Sequence, residues 1–200
     1  MDKIKAFFNN NKKTIFYPTI VMLIICIVIT LALSVTNAVT AKKIAENNKI
    51  KTEKAMKSAM KADKYVKGEL EIKEESVSYH KAIKNGKTKG YIFTLAAKGY
   101  GGDVSVMVAV NPDCTVNSVQ IIDASNETPG LGQNITDKEF YSQFEGKEYG
   151  VKTVKSGTAA AENEIDAVTS ATYSSKAVTE CVNKALEYTQ KIIDKEGGAK

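Results

Sequence analysis

The sequence predicts an α+β fold: a transmembrane helix and a helical stalk at the N-terminus, then a domain in which helices flank an antiparallel sheet. Three observations carry this reading. An uncharged apolar stretch separates Lys13 from Lys42, four strand-like runs between residues 76 and 122 are joined by turn formers, and an amphipathic segment with one apolar face closes the chain. The 200 residues divide accordingly into a tail (1–13), a transmembrane anchor (14–41), a stalk (42–68) and the sheet domain (69–200).

Composition narrows the function classes. A chain of 21.7 kDa has room for one compact domain and an appendage, which excludes a large enzyme with many cofactors. Its 28 basic residues are all lysine, against 23 acidic ones, for a net charge of +5. Without arginine there is no bidentate fork for guanine or phosphate, and the lysines are spread thinly, so no nucleic-acid partner is expected. Hydrophobic residues make up 43% and proline only 3 positions, which argues against disorder. The single histidine, His80, and the cysteines at 26, 114 and 181 form neither a CxxC pair nor a ligand cluster, so no protein-held metal, haem or iron–sulfur centre is expected.

The anchor runs from Thr14 to Ala41, 28 residues, where about 20 suffice to cross a bilayer. Pro18 stands near its start, where a missing N–H costs little, and Asn37 and Lys42-Lys43 mark its exit. A cleaved signal peptide is the alternative, with Val39-Thr40-Ala41 as the small-residue site. The run exceeds the roughly 7–15 residues of a signal's apolar region, which favours an uncleaved anchor. Lys3, Lys5, Lys12 and Lys13 precede the span, and Lys42, Lys43, Lys49, Lys51, Lys54 and Lys57 follow it. The count leans against an exported C-terminal domain, but long C-terminal domains translocate largely regardless of charge, and orientation stays open on this ground. Cys26, inside the span, reads as lipid-facing or as packing filler.

Residues 39–67, rich in Ala, Lys, Glu and Met, read as a helical stalk stopped by Gly68. The strands are expected at Ser76–Ile83, Gly90–Ala97, Asp103–Val110 and Val116–Ile122. Lys84-Asn85-Gly86-Lys87 is a hairpin signal, and Asn111-Pro112-Asp113 joins the last two strands. Asp123 to Gly132 is too rich in turn formers to be an element and reads as a loop of fixed shape. A short helix is expected over Asp137–Phe144, with Thr136 as N-cap and Glu139 closing a capping box. The final helix is expected over Ser174–Asp194, with Val178, Cys181, Val182, Ala185, Leu186, Thr189, Ile192 and Ile193 as its core face.

Just before that helix stands Asp166-Ala167-Val168-Thr169-Ser170-Ala171-Thr172. In physical terms this is a helix start, where free N–H groups and the positive dipole end favour an anion, phosphate above all. Ordinary capping by Ser174 or Ser175 is the plainer alternative. Thr169, Ser170 and Thr172 all offer hydroxyls, and chemistry alone does not choose among them. Gly101, Gly102, Gly130 and Gly132 would allow close backbone approach to a flat ring, or merely tight turns. No nucleophile–base pair or paired carboxylate stands out, and no catalytic residue is assigned.

The run DAVTSAT resembles the flavinylation motif of the FMN-binding domains in the G subunit of the Rnf electron-transport complex and the C subunit of the sodium-pumping NADH:quinone reductase. Lys98-Gly99-Tyr100-Gly101-Gly102 is similar to that family's GYGG turn, and Glu127-Thr128-Pro129-Gly130-Leu131-Gly132 to its ETPGLG loop. The resemblance implies FMN joined by a phosphoester to Thr172, attached by a flavin transferase with FAD as donor, with Asp166, Thr169, Ser170 and Ala171 as recognition residues. It implies that Gly101, Gly102 and the six residues of the loop, Glu127, Thr128, Pro129, Gly130, Leu131 and Gly132, receive the flavin. It also implies a component of an ion-translocating ferredoxin:NAD complex in the cell membrane, its tail cytoplasmic and its C-terminal domain outside, relaying electrons to other subunits. The compact length suits the Rnf protein better than its longer reductase counterpart. Two other readings remain open: a stand-alone flavinylated carrier for extracellular electron transfer, and an anchored sensory or structural domain without flavin.

Overall fold

The computed structural model describes residues 12–72 and 75–197, so the tail over 1–13 lies outside the described residues except for Lys12 and Lys13. Two compact units divide the chain, Met1–Lys49 and Ile50–Lys200. Helix α1 (Lys12–Ala59) supplies the first with its residues up to Lys49, and its last ten residues belong to the second. Its segment Phe16–Ala41, 26 residues with mean hydropathy 2.8 and nothing buried, is long and apolar enough to cross a membrane. The hydroxyls of Thr30, Thr36 and Thr40 each donate to the carbonyl four residues back, at 2.7–2.8 Å, and so present no free donor on an apolar helix.

The second unit is built on a five-stranded antiparallel meander in the order β1-β2-β3-β4-β5. The strands are β1 (Lys64–Ile72), β2 (Glu75–Lys84), β3 (Lys87–Lys98), β4 (Asp103–Val110) and β5 (Val116–Asp123). The β2–β3 hairpin turns on Asn85 and Gly86, both at positive φ (52° and 74°), which is the I′ turn whose twist matches the strands. After the sheet come a 3₁₀ turn (Gly132–Thr136), the four-residue helix α2 (Lys138–Tyr141) and a second 3₁₀ turn (Ser142–Phe144). A short parallel pair follows, β6 (Lys152–Val154) with β7 (Glu164–Asp166), then helix α3 (Thr172–Gly197).

Three local expectations are corrected. The stalk does not stay helical to Gly68: α1 ends at Ala59, and residues 64–72 form β1 against β2. The carbonyls that close the helix are taken by the sheet, Ala59 by the Ser118 hydroxyl (2.9 Å) and Met60 by the Tyr65 hydroxyl (2.7 Å), so tertiary pairing overrides local helix propensity. No capping box forms around Thr136 and Glu139, because Asp137 is the N-cap of α2 and the Thr136 hydroxyl turns back to the Gln133 carbonyl. Core insertion governs here instead: Ile135, Phe140 and Phe144 are buried, with the two rings edge to face at 5.7 Å. Helix α3 begins at Thr172, two residues earlier than expected.

The sheet is covered on both faces at β3 and β4. On one side Tyr91, Phe93, Val104, Val106, Val108 and Val110 meet Val178, Cys181, Val182, Ala185 and Leu186 of α3. On the other, Ile92, Met107 and Ala109 meet Met56, Ala59 and Met60 at the end of α1. All three cysteines are free. Burial pushes the Cys181 thiol up to about 12, so it stays protonated and packs as a small apolar side chain.

This packing predicts that a fragment starting at Lys42 unfolds cooperatively in urea, whereas one starting at Glu69 exposes the Met107 face and loses that cooperativity. In the longer fragment Met60→Ala, at a fully buried site, is expected to cost about 2–5 kcal/mol. Equal midpoints for the two fragments would show that the second core contributes nothing.

Candidate functional site

In an antiparallel meander the end of β3, the start of β4 and the end of β5 lie at one edge of the sheet. The turn 99–102 and the loop 124–132 are therefore neighbours. Helix α3, laid over β3 and β4, brings its first turn to the same edge. Tyr100, Glu127, Thr128, Leu131, Gly132 and residues 170–174 line one cleft there, of about 330 Å³. Three stretches far apart in sequence thus share one site.

The loop has a fixed shape for identifiable reasons. Asp123 accepts the Ser125 N–H (2.9 Å), and Leu131 N–H bonds the Thr128 carbonyl (3.2 Å) across Pro129-Gly130. Proline second and glycine at φ 74° third are the residues a type II turn requires. A similar turn, closed by Ala171 N–H to the Val168 carbonyl (2.9 Å), precedes α3 and puts Ser170 at φ 62°. Serine stands there in a conformation that glycine adopts freely.

Glu127 organises the wall. It is 2% exposed, the only charged side chain in the buried set among the described residues. Its Oε1 accepts the Gly101 N–H (3.1 Å) and its Oε2 the Ser174 hydroxyl (2.5 Å). The glycines make room for these contacts. A Cβ on Gly101 would overlap the Asn126 carbonyl oxygen, one on Gly102 would lie 2.7 Å from Asn126 Cβ, and one on Gly132 would lie 2.9 Å from Ser174 Oγ and closer still to Glu127. The close approach at Gly101, Gly102 and Gly132 is thus to the protein's own chain. Gly130 instead faces open space, and its positive φ is what requires glycine.

The helix start has no side-chain cap of the expected kind. Ala171, buried, takes the N-cap position, its carbonyl accepting the Ser175 N–H at 3.0 Å. Its methyl offers no acceptor to the N–H groups of Tyr173 and Ser174. The two serines expected to cap lie inside the helix and are otherwise engaged, Ser174 with Glu127 and Ser175 with the Ala171 carbonyl (2.9 Å) and the Val168 N–H (3.0 Å). Thr172, the first helical residue, is exposed in the cleft.

Asp166 and Thr169 line a second cleft of about 590 Å³ with Asn134, Gln143 and Ser156. Asp166 Oδ1 accepts the Thr158 and Ala159 N–H groups (2.9 and 3.0 Å), and the Thr169 hydroxyl donates to Ser156 Oγ (3.2 Å). The run 166–172 is thereby split between two clefts, and only its last three residues reach the first. Sequence reasoning passed over Tyr100 and Tyr173, which are 75% and 70% exposed with ring centroids 6.4 Å apart. With Leu131, 44% exposed, they give the cleft an apolar rim. Their signal was position: one tyrosine between Gly99 and Gly101, the other directly after Thr172. Among the described residues no group of three metal-ligating side chains occurs.

The two kinds of glycine should separate in urea melts. Gly101→Ala forces a backbone shift and is expected to cost about 2 kcal/mol or more, whereas Gly130→Ala carries only the positive-φ penalty of about 1–2 kcal/mol. A Gly101→Ala protein as stable as the parent would show that the 99–102 turn does not pack as described.

Residues 99–187 match the FMN-binding domain family. The G subunit of the proton-translocating ferredoxin:NAD(+) oxidoreductase complex of Clostridium ljungdahlii is 41% identical over 109 residues, which are 54% of this chain and 58% of that protein. The G subunit of the Na(+)-translocating ferredoxin:NAD(+) oxidoreductase complex of Acetobacterium woodii is 33% identical over 196 residues, covering 90% of this chain and 94% of that one. Among solved structures, the C subunit of the Na(+)-translocating NADH-quinone reductase of Parabacteroides distasonis superimposes with a TM-score of 0.52 at 28% identity, over 60% of this chain and 64% of that chain. The anchor, the meander with its FMN-binding domain and the near full-length match place the chain in one family: it belongs to the G subunits of ion-translocating ferredoxin:NAD(+) oxidoreductase (Rnf) complexes.

Proposed function

We propose that this chain is a membrane-anchored electron-transfer protein that carries FMN on Thr172, joined through a phosphoester, within a complex of the Rnf type. The observation that carries the reading is the meeting of three motif stretches at one cleft around an exposed threonine on an uncapped helix start. The residues fit the cofactor. A phosphate on the Thr172 hydroxyl would lie beside the free N–H groups of the first helical turn, an attraction of about 0.3–1 kcal/mol when exposed. Tyr100, Tyr173 and Leu131 offer apolar surface for a flat ring, beside the Thr128–Gly132 turn.

When bound, the flavin supplies the redox chemistry, accepting and passing electrons singly or in pairs. The chain's part is to hold and orient it. No base hydrogen-bonds the Thr172 hydroxyl among the described residues. That supports attachment by a separate flavin transferase drawing on FAD. Ser170 and Ala171 shape the turn that presents Thr172, while Asp166 and Thr169, on the second cleft, give a transferase a surface away from the ring. Partners are the other membrane subunits of the complex, and the domain faces the extracytoplasmic side.

Thr172→Ala is expected to abolish covalent FMN with fold and membrane insertion intact, and Ser170→Ala to retain it. Intact mass spectrometry of both variants, each made together with a flavin transferase, reads the result; an FMN-sized increment surviving in Thr172→Ala would overturn the assignment, and its absence from the parent would favour a flavin-free anchor domain. Co-purification with other membrane subunits separates the complex from a stand-alone carrier. For sidedness, Lys87→Cys in a background lacking the native cysteines should react with an impermeant thiol reagent in intact cells, since residue 87 lies on the exposed hairpin. Labelling only after lysis would put the domain in the cytoplasm.

A further inference from the structure

Glu127 links the two walls of the cleft. One carboxylate oxygen holds the turn that bears Tyr100, through the Gly101 N–H (3.1 Å), and the other holds the helical turn that bears Thr172, through the Ser174 hydroxyl (2.5 Å). At 2% exposure it presents almost nothing to a ligand. The surroundings are shaped around it from both sides: a side chain on Gly99 or on Gly132 would collide with one or the other of its oxygens. Burying a carboxylate among neutral donors is costly, and a mere spacer between loops could be apolar. Both bonds run instead to elements that present cleft residues to the ring's side.

From this we infer that Glu127 is a positioning residue for the flavin, acting with Ser174 rather than by touching the cofactor. Resting on FMN at Thr172, the inference adds how the ring is kept still. By tying the 99–102 turn to the first turn of α3, Glu127 fixes the spacing between Tyr100 and the point where the phosphoester leaves the helix. Without it the cofactor stays attached, because Thr172 is exposed, but the ring turns freely in solvent.

The test uses the full-length protein in detergent, made together with a flavin transferase, and reads FMN mass, flavin fluorescence anisotropy and midpoint potential. In Glu127→Ala the mass increment is retained, the anisotropy falls by at least half of its excess over free FMN, and the potential moves toward that of free FMN in the same buffer. Glu127→Gln can accept from Gly101 and donate to Ser174 Oγ, and restores the anisotropy. Unchanged anisotropy and potential in a loaded Glu127→Ala protein overturn the inference. Should Glu127→Ala fail to fold, Ser174→Ala cuts only the helix-side bond and must show the same loosened ring; a ring as immobile as the parent's overturns it equally. Should the parent carry no FMN, the reading of Thr172 fails, and amide hydrogen exchange then decides the linkage alone. Exchange at the hydrogen-bonded N–H groups of Gly99, Gly101 and Ser175 must speed up together, about tenfold, in Glu127→Ala and Ser174→Ala, and unchanged exchange overturns it.

Discussion

The fold depends on one constraint: strand β4 has no polar face from Val106 to Val110, where every residue is buried. Val104, Val106, Val108 and Val110 are buried on one side of β4, and Met107 and Ala109 on the other. A sheet with such strands needs a cover on each face. Helix α3 supplies one and the last turn of α1 the other, so the end of the membrane-anchored helix is a piece of the folded domain and not a spacer. Placement of the site follows. Laying α3 over β3 and β4 delivers its first turn to the edge where the β3–β4 turn and the loop after β5 already meet. The α1–β1 junction lies at the opposite edge, where Asp63 N–H bonds the Ile83 carbonyl and Asp63 accepts the Asn85 N–H beside the β2–β3 hairpin. Cleft and junction therefore occupy opposite ends of one rigid sheet.

The four strands from β2 to β5 were legible because their turns are chemically explicit and their runs are dense in Val, Ile and aromatic residues. The first strand was not read, because the helix-favouring composition before it was carried on to Gly68, although Val66, Gly68, Leu70 and Ile72 alternate with Lys67, Glu69 and Glu71 in the period of a strand. The near-continuous run Val104–Val110 held a warning that alternation alone hides, since a strand apolar on both faces demands a second cover. β6 and β7, three residues each and parallel across an intervening loop, were too short to leave a periodicity.

At the site, the three motif stretches could be named from sequence; the meeting of the first two follows from antiparallel topology, and the end of the third joins them because α3 lies over β3 and β4. What each residue does was less legible. Glycines beside a presumed flat ligand suggest room for that ligand, yet three of these four make room for Asn126, Glu127 and Ser174. A buried carboxylate gives no local signal, because its burial depends on two segments that approach it from elsewhere. Ser174 and Ser175 carry the composition of a cap, and only the actual start of the helix shows that neither can serve as one.

The segment leading into α3 is where stability is given up. Alanine at an N-cap forgoes about 0.5–2 kcal/mol relative to Ser, Thr, Asp or Asn. A serine at φ 62°, where glycine would sit without strain, costs about 1–2 kcal/mol, and Glu127 adds a desolvated carboxylate held by two neutral donors. Each could be relieved by one substitution, and all three bear on the turn that presents Thr172. A segment shaped for folding alone would carry an acceptor at residue 171 and glycine at 170. Leaving the first-turn N–H groups free is unfavourable for an unmodified chain and favourable once a phosphate on the adjacent hydroxyl occupies them, so the local deficits and the proposed phosphoester account for each other.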